Sequence, residues 1–197
     1  MLRLTATLLL VGLAPACSDD NTVSSDEQAK RAYLGLDKSI GKSITLGFAG
    51  FNSASSANIS PQMTTGDGTG MLVITGQVDQ GSSANKGMRL LVGMTSYSDG
   101  KLTIDGIDVN LTYATDATAQ PALDMSLKGI PTGTIAGTLT GLYHVTGDLV
   151  GDVTLNLTFT GDLQAGPAST VERKPGTTVV TGTALADGGT YNVMVTL

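Results

Sequence analysis

The stretch from residue 152 to 163, "DVTLNLTFTGDL", constrains the fold more than any other part of the 197-residue chain. Val153, Leu155, Leu157 and Phe159 alternate with Thr154, Asn156, Thr158 and Thr160. Successive side chains of a strand leave opposite faces of a sheet, so this period puts the aliphatic set on one side and the threonines on the other. A sheet that is oily on one face and wet on the other is characteristic of antiparallel pairing, since parallel sheets are covered on both faces.

The same two-residue period runs through much of the C-terminal two thirds. "MRLLVGMTSY" sets Met88, Leu90, Val92 and Met94 on one face, "TIAGTLTGLYHV" sets Ile135, Leu139, Tyr143 and Val145, and "TYNVMVTL" sets Tyr191, Val193, Val195 and Leu197. In "KLTIDGIDVNLTYAT" the apolar parity slips at Asp105-Gly106, which requires a glycine bulge or a second tight turn. "SDG" at 98–100 is hairpin chemistry. With strands near 71–79 and 177–185 added, about eight strands are expected between residues 66 and 197. Val109-Asn-Leu-Thr-Tyr echoes Leu155-Asn-Leu-Thr-Phe, wording on which two strands facing one core converge without duplication.

Ahead of the strands the period is helical. Tyr33, Leu36, Ile40, Ile44, Phe48 and Phe51 recur at steps of three and four, and Ser24-x-x-Glu27 has the form of a capping box. The spacing predicts a helix over 26–52. Gly35, Gly41, Gly47 and Gly50 lie inside it, each costing about 1 kcal/mol relative to alanine, so an apolar partner surface must hold it and a glycine is where it would bend. The expected fold is therefore mainly β (α+β): a strongly curved antiparallel sheet or barrel-like domain with one long N-terminal helix packed on or within it. A two-sheet sandwich is the alternative.

The chain has one cysteine, and its setting suggests where the protein resides. Arg3 precedes an apolar run from Leu4 to Leu13, followed by Ala14, Pro15, Ala16 and then Cys17. The run is far shorter than the ~20 residues that span a bilayer as a helix, so residues 1–16 read as a cleavable export signal. Ala14-Pro15-Ala16-Cys17 resembles the lipobox of bacterial lipoproteins, although Ala14 stands where that pattern has leucine and Pro15 departs from it. The resemblance implies cleavage before Cys17 and diacylglyceryl modification of its sulfur, and a two-chain anchor holds stably where one acyl chain does not. Plain secretion through the Ala14-x-Ala16 pattern is the competing expectation. "SDDNTVSS", residues 18–25, is then a polar tether spanning roughly 15 Å as a coil. Residues 26–197 form one domain. Ser18 after the cysteine is similar to signals that permit sorting to the outer membrane.

Charge and composition narrow the partners. The net charge is −6, and loss of Arg3 with the leader makes it −7, which argues against nucleic acid and against electrostatic adhesion to anionic lipid. Aromatic residues are 4% of the chain and tryptophan is absent, so the interfacial girdles of a transmembrane barrel are not there. "ERKPGT" at 172–177 is a basic pair before a Pro-Gly turn, expected in a solvated loop.

Residues with catalytic potential are few. His144, the single histidine, lies in a strand rather than a nucleophile elbow, and it stands alone as a ligand for zinc. Asp67, Asp99, Asp105 and Asp187 adjoin glycine, where aspartate belongs in turns. Asp148, Asp152 and Asp162 are the candidates for an oxygen-ligated calcium, without a recognised loop around them. The sequons at Asn58, Asn110 and Asn156 fit coincidence in a threonine-rich chain. No catalytic residue, cofactor or metal is assigned.

The expectation is a non-enzymatic, membrane-anchored lipoprotein of the bacterial envelope with a β-rich binding or scaffold domain. One alternative is a carrier whose cavity would be lined by Met63, Met71, Met88, Met94, Met125 and Met194. The other is a hydrolase. A carrier needs an enclosed apolar cavity, a scaffold needs a filled core, and an enzyme needs His144 or paired aspartates in a cleft.

Overall fold

The computed structural model describes residues 21–187 and 189–197. Helix α1 (Asp26–Leu34) begins at Ser25, whose hydroxyl accepts from the Gln28 amide, while the Gln28 carboxamide oxygen accepts from the Ser24 amide at 2.8 Å. The capping pair is thus Ser25 and Gln28, one position later than Ser24 and Glu27. Helix α2 (Asp37–Ser53) follows after a break at Gly35-Leu36. The bend falls at a glycine because the sheet comes close there: a Cβ on Gly35 would lie 2.1 Å from the Tyr113 hydroxyl oxygen. That hydroxyl instead donates to the Ala32 carbonyl at 2.8 Å, satisfying a group near the end of α1 that would otherwise be orphaned.

The buried stripe of the helical pair runs through Ala29, Ala32, Tyr33, Leu36, Ile40 and Ile44, and then through Gly47 and Gly50 rather than Phe48 and Phe51. A Cβ on Gly47 would press on the Met88 sulfur at 2.8 Å, and one on Gly50 on Ile59 at 2.9 Å. Close approach of helix and sheet selects glycine at both positions and leaves the two phenyl rings on the helix flank, half-buried.

Among the described residues, eleven antiparallel strands form one sheet: β1 (Asn58–Thr65), β2 (Thr69–Val78), β3 (Lys86–Ser98), β4 (Lys101–Ile104), β5 (Ile107–Ala114), β6 (Ala122–Lys128), β7 (Thr134–Gly147), β8 (Gly151–Ala165), β9 (Val171–Arg173), β10 (Val179–Ala186) and β11 (Gly189–Thr196). The path runs β1-β2-β3-β5-β7-β8-β10-β11, with β6 bridging β3 and β7, β4 on β5 and β9 on β8. One continuous sheet replaces the two layers of a sandwich. Its end strands β1 and β11 do not pair with each other. Instead α2 packs on β1, β2 and β9 while α1 packs on β11, so the sheet curls round the helical pair.

The strand count exceeds the expected eight for identifiable reasons. The sheet starts at Asn58 rather than Gly66, since β1 carries Pro61 and a register shift between Ile59 and Gln62 that hide its period. Residues 98–100 join β3 to β4 as a corner, not a hairpin, because β4 pairs with β5. Asp105 (φ 51°) and Gly106 (φ 79°) then make the second tight turn, with both central residues left-handed as the type I′ hairpin needs.

Inside the curl, Tyr33, Tyr97, Tyr113, Tyr143 and Phe159 are among the largest fully buried side chains. β8 buries Val153, Leu155, Leu157 and Phe159 and turns Thr154, Asn156, Thr158 and Thr160 outward. Truncating one of these aliphatic groups, Leu157→Ala for example, removes about 2–5 kcal/mol. No helix among the described residues is long and apolar enough to cross a membrane.

Candidate functional site

Ala14, Pro15, Ala16 and Cys17 lie outside the described residues. The chain enters the domain at Asn21–Thr22, where the Val150 amide donates to the Asn21 carbonyl at 2.9 Å and Thr22 forms a parallel bridge with Val150. Entry is therefore pinned beside the β7–β8 turn, at one end of β8.

Near that end stands His144. Its Nδ1 lies 2.7 Å from Asp152 Oδ1 and its Nε2 lies 3.3 Å from Asp116 Oδ1. Hydrogen bonding first to Asp152 and then to Asp116 raises its pKa, because both carboxylates favour the imidazolium. A triad base needs one nitrogen aimed at a nucleophile; here carboxylates occupy both. Asp152 therefore serves His144, whereas Asp148 accepts from the Asn110 amide at 2.7 Å and the Asp162 backbone sits against Thr177. The three aspartates weighed as calcium ligands have separate partners, and no group of three or more His, Cys, Asp and Glu side chains among the described residues could hold a metal ion.

The methionines divide. Met88, Met94 and Met125 are buried in the common core, whereas Met63, Met71 and Met194 point to solvent. They do not line one space.

Two charged clusters, neither visible in the sequence, fix the helices to the sheet. Asp99 is 1% exposed at its side chain. It accepts from the Tyr97 hydroxyl at 2.6 Å, from Lys42 Nζ at 2.6 Å and from the Asp67 amide at 3.1 Å. Lys42 also reaches Asp67 at 2.7 Å. Burial works against the Lys42 charge, but the hydrogen bonds to Asp67 and Asp99 outweigh it and hold its pKa above the ordinary value. Lys42 and then Lys38 hold the Asp67 carboxyl below the usual range. In the second cluster, Arg173 on β9 grips Asp37 at the start of α2 through two bonds, 2.9 and 2.7 Å, and the Tyr33 hydroxyl donates to the same carboxylate. Burial first, then Asp37, raises the Tyr33 pKa, so the phenol stays a donor. Between these clusters a cleft of about 480 Å³ carries Lys38, Lys42, Arg173 and Lys174. Three of those cations are already paired within the protein.

A different cleft, of about 530 Å³, opens where α2 ends. Phe48 and Phe51 form one wall, and Ile130 from the β6–β7 connection and Val171 at the start of β9 face them. Three loops converge here: the Ile130 amide donates to the Ala84 carbonyl at 2.9 Å, and the Gly129 amide donates to Asn85 Oδ1 at 2.9 Å. The third, residues 166–170, carries Ala168 (φ 54°) and Ser169 (φ 63°), two successive non-glycine residues in the left-handed region at about 1–3 kcal/mol each. Lys86, almost wholly buried, donates to the Gly81 carbonyl and lies 4.6 Å from the centre of the Phe51 ring. In the sequence the only trace of this cleft is two phenylalanines beside Gly47 and Gly50 near a helix end, whose spacing places them on the buried stripe. No protein-family model, curated protein or solved structure matches this chain.

Proposed function

We propose that the protein is an exported bacterial lipoprotein, acylated on Cys17 and held at the envelope outside the cytoplasm, with a non-enzymatic β-rich domain that binds or scaffolds. The observation that favours a binding or scaffold domain over a carrier is the occupied interior. Ala29, Ala32, Tyr33, Leu36, Ile40 and Ile44 of the helical pair, each at most 1% exposed, fill the space that a carrier would leave for cargo. Recognition then belongs to the surface.

The leader-like run before Cys17 and the polar residues after it support the anchor, and entry of the chain beside Val150 supports a tether that leaves from one end. The cleft at the end of α2 lies beyond the other end of β8, whose 15 residues extend roughly 50 Å along the strand. An anchored domain would present that cleft away from the bilayer. Ser18 favours the outer membrane. Cys17→Ser is expected to move the protein from the membrane fraction to the soluble extracytoplasmic fraction and to remove a diacylglycerol-sized mass from the N-terminus. Unchanged fractionation with unchanged N-terminal mass contradicts the anchor.

A further inference from the structure

We propose that the cleft at the end of α2 is a binding site for a small uncharged amphiphile, a molecule with an aromatic or branched apolar body and hydroxyl or amide groups. Its volume, about 530 Å³, falls within the ~300–1,000 Å³ of small-molecule pockets. The wall of Phe48, Phe51, Ile130 and Val171 is apolar and assembled from three separate segments. Helix α2 supplies its rings only because Gly47 and Gly50 take the buried stripe.

The polar part of the lining is neutral. Asn52, Ser82 and Ser169 stand exposed at the rim, and none of the three makes a side-chain hydrogen bond among the described residues, so their donors and acceptors remain available. No carboxylate lines the cleft. Its one cation, Lys86, is committed to the Gly81 carbonyl and to Phe51. An anion would find no open counter-charge, and a cation would meet Lys86. The neighbouring cleft on α2 differs in kind: it is walled by ion pairs that a ligand would have to break.

The test is calorimetric titration of the full chain, purified as the cell makes it, with phenyl glucoside as probe. Glucose supplies hydroxyls without the ring, and benzoate and benzylammonium supply the ring with a charge. Phenyl glucoside is expected to bind saturably at one site in the millimolar range, and the other three at least about tenfold more weakly. Phe48→Ser should weaken binding about tenfold. Should that variant fold poorly, Asn52→Trp, on the exposed side of α2, fills the cleft without touching the core and should abolish binding. Leu185→Ser, on the outer sheet face, should leave it unchanged. No saturable binding of phenyl glucoside overturns the proposal, as does equal binding of the charged rings or wild-type binding by Asn52→Trp. The site does not depend on the anchor: Cys17→Ser should give the same titration, so failure of either idea is separable from the other.

Discussion

Asp99 and His144 each sit between two polar side-chain partners, yet burial gives them different weights. Asp99 is 1% exposed at its side chain and ties three segments together: the end of β3, the β1–β2 turn and helix α2. His144 is 37% exposed and bridges Asp116 and Asp152 over the wet face of the sheet. Water substitutes cheaply for a lost partner at the second site and cannot reach the first. The number of contacts is thus a poor guide to their worth; accessibility decides.

Three substitutions put that contrast at risk. Asp99→Ala strands the buried Tyr97 hydroxyl and leaves Lys42 with the Asp67 carboxylate alone, and should cost about 3 kcal/mol in urea unfolding. A cost below about 1 kcal/mol would erase the difference between the two sites. Arg173→Ala is intermediate: it leaves Asp37, 15% exposed, with only Tyr33, and should cost about 2 kcal/mol by the same measurement. A cost for the double variant that departs from the sum of the two single ones would mean that the two helix clusters act as one unit.

His144→Ala should have the smallest effect, below about 1 kcal/mol, and its effect depends on pH. Hydrogen bonds to Asp152 and then Asp116 raise the folded-state pKa above the unfolded value of about 6.5. The stabilisation is therefore complete below that unfolded value and is lost as pH rises through the higher folded one. Unfolding at about pH 5 should separate wild type from His144→Ala, and unfolding at about pH 9 should not. A gap that grows with pH would reverse the assigned cause. Asp67 has the opposite sign: its lowered pKa contributes above the unfolded carboxylate range and fades as pH falls through the folded value.

What the sequence displayed follows from range. Alternation in β8 is a local property, and Val153 to Phe159 could be assigned to the core from spacing alone. The helical span was legible too, with its bend at a glycine. β1 was not, because Pro61 and the register shift after Ile59 disturb the parity, and β9, at three residues, is too short to show a period. The Lys42–Asp99 pair joins positions 57 apart, and Arg173–Asp37 joins positions 136 apart; nothing in either neighbourhood marks them as partners. Phe48 and Phe51 mislead for a physical reason: helical spacing reports which residues share a face, and only the sheet's close approach decides that Gly47 and Gly50 occupy the buried one.

The most direct test of the account is the intact mass of the protein taken from its native envelope under non-denaturing conditions and then denatured. The predicted result is a chain beginning at Cys17 that carries a covalent diacylglycerol, with no second lipid released from its interior. A chain with a free Cys17 thiol, or one that gives up a non-covalent lipid on denaturation, would contradict an anchored domain whose core is closed by its own helices.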